Sequence, residues 1–166
     1  PRAKGNTWWG KTSQIGYTWD NAGFAIAVWS NPTSEHGYSV GVEFDTLYGT
    51  RKPYGLGMSS YKGTWLHLVT TFSKADRKVR FYINGSEVRS FDIPPDEVTL
   101  LDVDPSTNVC YQRLSLGANC LLGEHFATAY SHVRVYSRAL SAEEVRRNYA
   151  NPDDPVRDGL EAWVAW

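Results

Sequence analysis

Apolar and polar positions alternate with period two along most of this chain, and the alternation gives way once to a helical spacing. "GFAIAVWS" (Gly23 to Ser30) sets Phe24, Ile26 and Val28 against Ala25, Ala27 and Trp29, the pattern of a strand covered on both faces. "GYSVGVEFD" follows the turn-forming "NPTSEHG" and reads as a second strand. "LHLVTTF" (Leu66 to Phe72) is a third, with Leu66, Leu68 and Phe72 on one parity. "KVRFYING" continues with Val79, Phe81 and Ile83 inward and Arg80 and Tyr82 outward. Asn84-Gly85 is a type I′ hairpin signal, because both central residues of that turn need positive φ. "SEVRSF" returns from it with Val88 as its expected core contact. "RLSLGA" and "HVRVYS" read as two more strands, the latter with Val133 and Val135 inward. Many short strands joined by turns predict an all-β, antiparallel sandwich or barrel.

One short helix is predicted in "LSAEEVRRNY". Ser141 followed by Glu144 is a capping box, and Arg146 and Arg147 near the other end suit the helix dipole. Leu140, Val145 and Tyr149 make its apolar stripe. "ANPDDPVRD" then reads as an extended linker rich in Pro and Asp. The chain closes on "GLEAWVAW", where Leu160, Ala162 and Val164 share one parity and Glu161, Trp163 and Ala165 the other. No internal repeat or low-complexity tract is present.

The length of 166 residues fits one domain with a sizeable core. Seventeen Lys and Arg against 18 Asp and Glu give a formal charge of −1, so nothing invites nucleic acid or an anionic membrane surface. No apolar run reaches the length of a membrane-spanning helix. Seven Trp and ten Tyr favour strands, and also surfaces that stack on sugars or on partner proteins. Cys110 and Cys120 are the only cysteines. They read either as a bridge across "CYQRLSLGANC" or as two reduced thiols.

Two sets of residues carry candidate chemistry. In "GVEFDTLYG", Glu43 and Asp45 stand two apart on a strand, hence on one face, with stems about 6.5 Å apart at ~3.3 Å per residue. That spacing suits a hydrolytic carboxylate pair or a shared cation, calcium being the candidate, and equally the solvated side of an ordinary strand. Trp8 and Trp9 in the Gly-flanked "NTWWGKT", together with Trp19, are candidate ligand-binding aromatics; packing on the sandwich edge is the competing reading. Asn84 opens Asn-Gly-Ser, a glycosylation acceptor pattern, although the turn itself accounts for the residue.

Three stretches, "GTWLHLVTTF", "KVRFYINGSEV" and "SHVRVYSRALSAEEVRRNY", resemble the laminin-G-like branch of the concanavalin A-like lectin and glucanase jelly rolls. In that family the last strand often opens on acidic residues, where Ser131 and His132 stand here. The resemblance implies an antiparallel jelly-roll β-sandwich over residues 1–149, then a linker over 150–158 and a separate C-terminal strand over 159–166. It also implies an extracellular or cell-surface protein without a catalytic role, and so a disulfide between Cys110 and Cys120, which would contribute up to ~3 kcal/mol. Within the motif, His67 reads as a half-buried strand histidine bonded to backbone. His36, His125 and His132 show no partner at any telling spacing. Family-16 glucanases carry Glu-x-Asp-x-Glu or a one-residue-longer variant; here Leu47 and Tyr48 occupy the place of the second Glu, so hydrolysis is not expected. "VEFDT" is similar to the metal-binding strand of legume lectins, but "LYGTRKPYGLG" lacks the Asn, Asp and His that complete those sites. No cofactor other than calcium suggests itself.

Relatives of this type open with a strand like "FTIEAWV", whereas here a comparable segment lies at the far end. The expectation is that Leu160, Trp163, Val164 and Trp166 form an assembly strand. Its burial would contribute on the order of 6–10 kcal/mol before ordering costs. The linker can reach the same sandwich or a neighbouring one at up to ~30 Å extended. The expectation slightly favours the neighbour, which head to tail would build a polymer. The expected function is a binding or structural module for carbohydrate or an extracellular protein, with self-association into a filament or surface layer as the alternative and glycoside hydrolysis as a third reading.

Overall fold

The computed structural model describes residues 13–16, 24–30, 38–45, 51–57, 59–61, 63–73, 75–93 and 129–166, the first four segments by their backbone. Two compact units divide the chain, one of residues 1–62 and 96–127, the other of 63–95 and 128–166.

The first unit holds a four-stranded antiparallel sheet in the order β1 (Ser13–Gly16), β2 (Phe24–Ser30), β3 (Tyr38–Asp45), β4 (Arg51–Gly57). Register sorts its residues onto two faces. Ile15, Ile26, Val42 and Tyr54 lie in one cross-strand row, and Val28, Val40 and Leu56 in another on the same face. The opposite face is mostly of small and polar residues, Gln14, Ala27, Gly41 and Gly55 in one row and Gly16, Ala25, Glu43 and Pro53 in the next, with Trp29 beside Ser39 and Gly57 in a third. One apolar and one polar face is what period-two alternation requires of an antiparallel sheet. β1 and β4 had no place in the sequence reading. Gly55, Gly57 and Pro53 in β4 are poor strand formers, and pairing with β3 overrides them.

The second unit holds β5 (Leu68–Ser73), β6 (Lys78–Ile83) and β7 (Ser86–Asp92) in an antiparallel sheet with β6 central. β8 (His132–Tyr136) and β9 (Leu160–Ala165) form a separate antiparallel pair, joined through helix α1 (Ala142–Ala150). The Asn84-Gly85 turn has φ of +50° and +80°, as a type I′ hairpin needs. Val79, Phe81 and Ile83 are buried as the alternation predicted.

Two expectations fail here for physical reasons. Tyr82, placed outward by parity, is buried in a cluster with Leu140, Val145 and Val156, and Val69 and Tyr136 pack against it. α1 and the segment after it cover the second face of β6, so both parities of that strand are inside. Val88 is not a core contact but 41% exposed. Phe81 pairs with Arg89 and Tyr82 with Glu87, which leaves Val88 as the extra residue of a β-bulge. Phe91 takes the inward role on β7, edge to face with Phe81 at 6.0 Å.

Residues 150–158 do not run free. Pro155 and Val156 are buried, and the segment is a strap across the face of β8 and β9 that carries Arg134 and Trp163.

Candidate functional site

α1 is positioned by its own sequence. The Ser141 hydroxyl accepts from the Glu144 main-chain N–H at 3.3 Å, and the Glu144 carboxylate accepts from the Ser141 N–H at 2.8 Å. Arg138 binds both oxygens of Glu144, at 3.0 and 2.5 Å. That guanidinium, with the Ser141 N–H, holds the Glu144 carboxyl down to about 2.

One turn later the helix turns Asn148 inward, 2% exposed. Its Nδ2 donates to the Tyr136 hydroxyl at 3.0 Å, and its Oδ1 accepts from the Val156 N–H at 2.8 Å. The Tyr136 hydroxyl donates to the Val156 carbonyl at 3.0 Å. One amide side chain thus ties helix, strap and β8 together. The strap is pinned again further along. Arg134 donates to the Pro152 carbonyl, and His132 Nε2 lies 3.3 Å from Asp153 Oδ1. Two guanidinium groups lie over the Trp163 ring of β9, Arg134 at 5.8 Å and Arg157 at 4.8 Å.

His132 Nδ1 also lies 2.9 Å from Ser131 Oγ. Serine, imidazole and carboxylate in a chain is the order of a hydrolytic relay. Asp153 is 91% exposed on its side chain, and nothing among the described residues gathers donors for an oxyanion, so the chain reads as a pin on the strap.

His67 is the other packed imidazole. Its main-chain N–H donates to Asn84 Oδ1 at 3.0 Å, and its carbonyl accepts from the Asn84 N–H at 2.9 Å. The ring itself makes no such bond through Nδ1, which is buried and has no partner among the described residues. The ring meets Tyr149 at 5.6 Å, inclined 30°. Tyr149 in turn lies over Gly85, where an added Cβ would come within 3.1 Å of its ring. Burial, and then the charge of Arg134, lowers the His67 pKa.

The residues singled out from sequence fare unevenly. Glu43 and Asp45 occupy one parity of β3, on the face with Ala25, Pro53 and Arg51. Trp8, Trp9, Trp19, Cys110 and Cys120 lie outside the described residues. β9 pairs with β8 of its own chain, where the sequence had slightly favoured a neighbour. Leu160 and Trp163 are half-buried on it, while Val164 and Trp166 are exposed. Sequence reasoning passed over Trp65, the most exposed large apolar side chain described, and over the contacts of Asn148, His132 and Trp163. Among the described residues, no three His, Cys, Asp or Glu gather to hold a metal ion, and no helix is long and apolar enough to cross a membrane.

Antiparallel sheets, an Asn-Gly hairpin and a late strand running into a capped helix define a β domain of lectin-like type. The chain belongs to the concanavalin A-like lectin/glucanase superfamily, whose laminin-G-type sequence model matches residues 43–146. Among solved structures it is similar to a crystal structure of an S-layer domain-containing protein from Clostridium thermocellum ATCC 27405. The identity is 18% and the TM-score 0.38, over 89% of this chain and 66% of that one, so the chain spans just under two thirds of that structure. No curated protein matches the chain.

Proposed function

We propose that this chain is a non-enzymatic extracellular module, a jelly-roll sandwich of two packed sheets that binds carbohydrate or a protein partner. The observation that carries the reading is the face of the β1–β4 sheet that carries small residues, Trp29 and the acids Glu43 and Asp45, within a superfamily of lectins and glucanases. Among the described residues of that face Glu43 and Asp45 are the acids; the others are Gln14, Gly16, Ala25, Ala27, Trp29, Ser39, Gly41, Arg51, Pro53, Gly55 and Gly57. Family-16 glucanases use both glutamates of Glu-x-Asp-x-Glu as nucleophile and acid/base; here Glu43 and Asp45 match the first two acids, and Leu47 and Tyr48 stand in place of the second Glu. A face of this kind suits recognition better than turnover. Trp8, Trp9 and Trp19 are the proposed contacts for sugar rings or for a partner's pocket.

The test is a glycan array together with a hydrolysis assay. Binding should fall at least tenfold in Trp8→Ala or Trp9→Ala, and incubation with β-glucans should release no reducing sugar above a Glu43→Gln control. Sugar release that depends on Glu43 restores the hydrolase reading. A second reading, self-association through the C-terminal strand, is favoured by the exposure of Val164 on β9 and of Trp166 just after it. Polymers seen by electron microscopy of the purified chain, lost in Trp166→Ser, would support it.

A further inference from the structure

We propose that His67 is an acid-sensitive latch: its neutral ring lets the C-terminal end of α1 close over the β6–β7 turn, and its protonation loosens that end together with the strap that carries β9. The inference starts from what surrounds the ring. From α1 it meets Tyr149, which itself covers Gly85 of the hairpin turn, and from β8 it feels the charge of Arg134, while the uncharged Asn84 bonds the main chain of His67. Among the described residues no carboxylate acts on it. A neutral imidazole needs one acceptor and one donor satisfied, but an imidazolium carries an N–H on both nitrogens. Nδ1 is buried and has no partner among the described residues, so in the imidazolium its N–H is a buried donor without an acceptor there, and the ring brings a second positive charge near Arg134. Each effect favours a ring that swings out, and Tyr149 loses its neighbour when it does.

The helix end then transmits the change. Tyr149 follows Asn148, whose amide holds the Val156 N–H and the Tyr136 hydroxyl. Val156 stands three residues before Gly159, where the chain turns at φ +72° into β9. Loosening the last turn of α1 therefore weakens the node that fixes the strap.

Limited proteolysis within residues 150–158 reads the opening directly, with rates normalised at each pH to an unfolded substrate. Cleavage should rise as pH falls from about 7.5 to 5, with a limiting slope of about tenfold per pH unit below the ordinary histidine pKa. In His67→Phe the rise should vanish. That substitution keeps the ring contact with Tyr149, and both hydrogen bonds at position 67 use the main chain. An equal rise in both proteins overturns the proposal. If His67→Phe folds poorly, NMR titration of the wild-type ring decides instead. A midpoint below 6.5, with loss of the Tyr149 ring-current shift on the acid side, supports the latch, and a midpoint at or above 6.5 overturns it.

Discussion

At the scale of single residues, Asn148 shows most clearly what the sequence hides. Val145, Asn148 and Tyr149 stand three and four positions apart, so all can share one helix face, and hydrophobicity alone selects Tyr149. The structure buries Asn148 and leaves Tyr149 half out over Gly85. The deciding partners, Val156 and Tyr136, are 8 and 12 residues away and leave no local mark in the sequence. Tyr82 was misread for the same reason: what covers the second face of β6 comes from the far end of the chain. Asn148→Leu should therefore be strongly destabilising although it puts an apolar residue in an apolar place. It strands the Val156 N–H and removes a partner of the Tyr136 hydroxyl. The expected loss is about 2–4 kcal/mol by urea unfolding, from two buried polar groups left short of partners. A loss under ~0.5 kcal/mol would show that water takes over both bonds.

At the scale of elements, the capped helix and the Asn-Gly turn were legible locally. α1 begins where Ser141 and Glu144 said it would, because a capping box is a contact over three residues. The Asn-Gly turn adopts its positive φ angles for the same reason. β7 was harder, since a bulge shifts its pairing and turns Val88 out with no change in its alternation. The capping box also predicts a pH effect. Glu144 titrates at about 2 in the folded chain against an ordinary 4.5, so the unfolded chain binds its proton first as pH falls. The stability it contributes is present above pH 4.5 and is lost as pH falls from there towards 2. The pair with Arg138 is partly solvated, which keeps its share modest. Ser141→Ala should cost about 1 kcal/mol at pH 7. Glu144→Gln should cost a similar amount at pH 7 and flatten the loss between pH 4.5 and 2, both read by urea unfolding across pH. A Glu144→Gln protein whose acid limb matches the wild type would place that loss on other carboxylates.

At the scale of the whole molecule, antiparallel strands and superfamily membership were legible because alternation and three motif-bearing stretches each lie within a short span. The route of the last seventeen residues was not. "ANPDDPVRD" shows where a helix stops and says nothing of direction; docking is decided by Asn148, Arg134 and His132, which lie outside it. Once the strap is down, β9 has little choice of partner, since Val156 fixes its start beside β8. The strand is held less firmly than four buried side chains would hold it, because Val164 and Trp166 remain exposed. Half-burial of Leu160 and Trp163 contributes about 2–3 kcal/mol, at roughly half of ~2–3 kcal/mol for each. Removing residues 159–166 leaves the strap in place but strips β8 of its partner and Arg134 of the indole it faces. The truncated chain should melt several degrees lower and aggregate through the bared edge of β8, increasingly with concentration. A truncated chain that stays monomeric with an unchanged melting temperature would mean that β9 adds nothing to the fold. A full-length protein that forms polymers, and loses them on truncation while its melting temperature holds, would mean that the strand serves a neighbouring subunit.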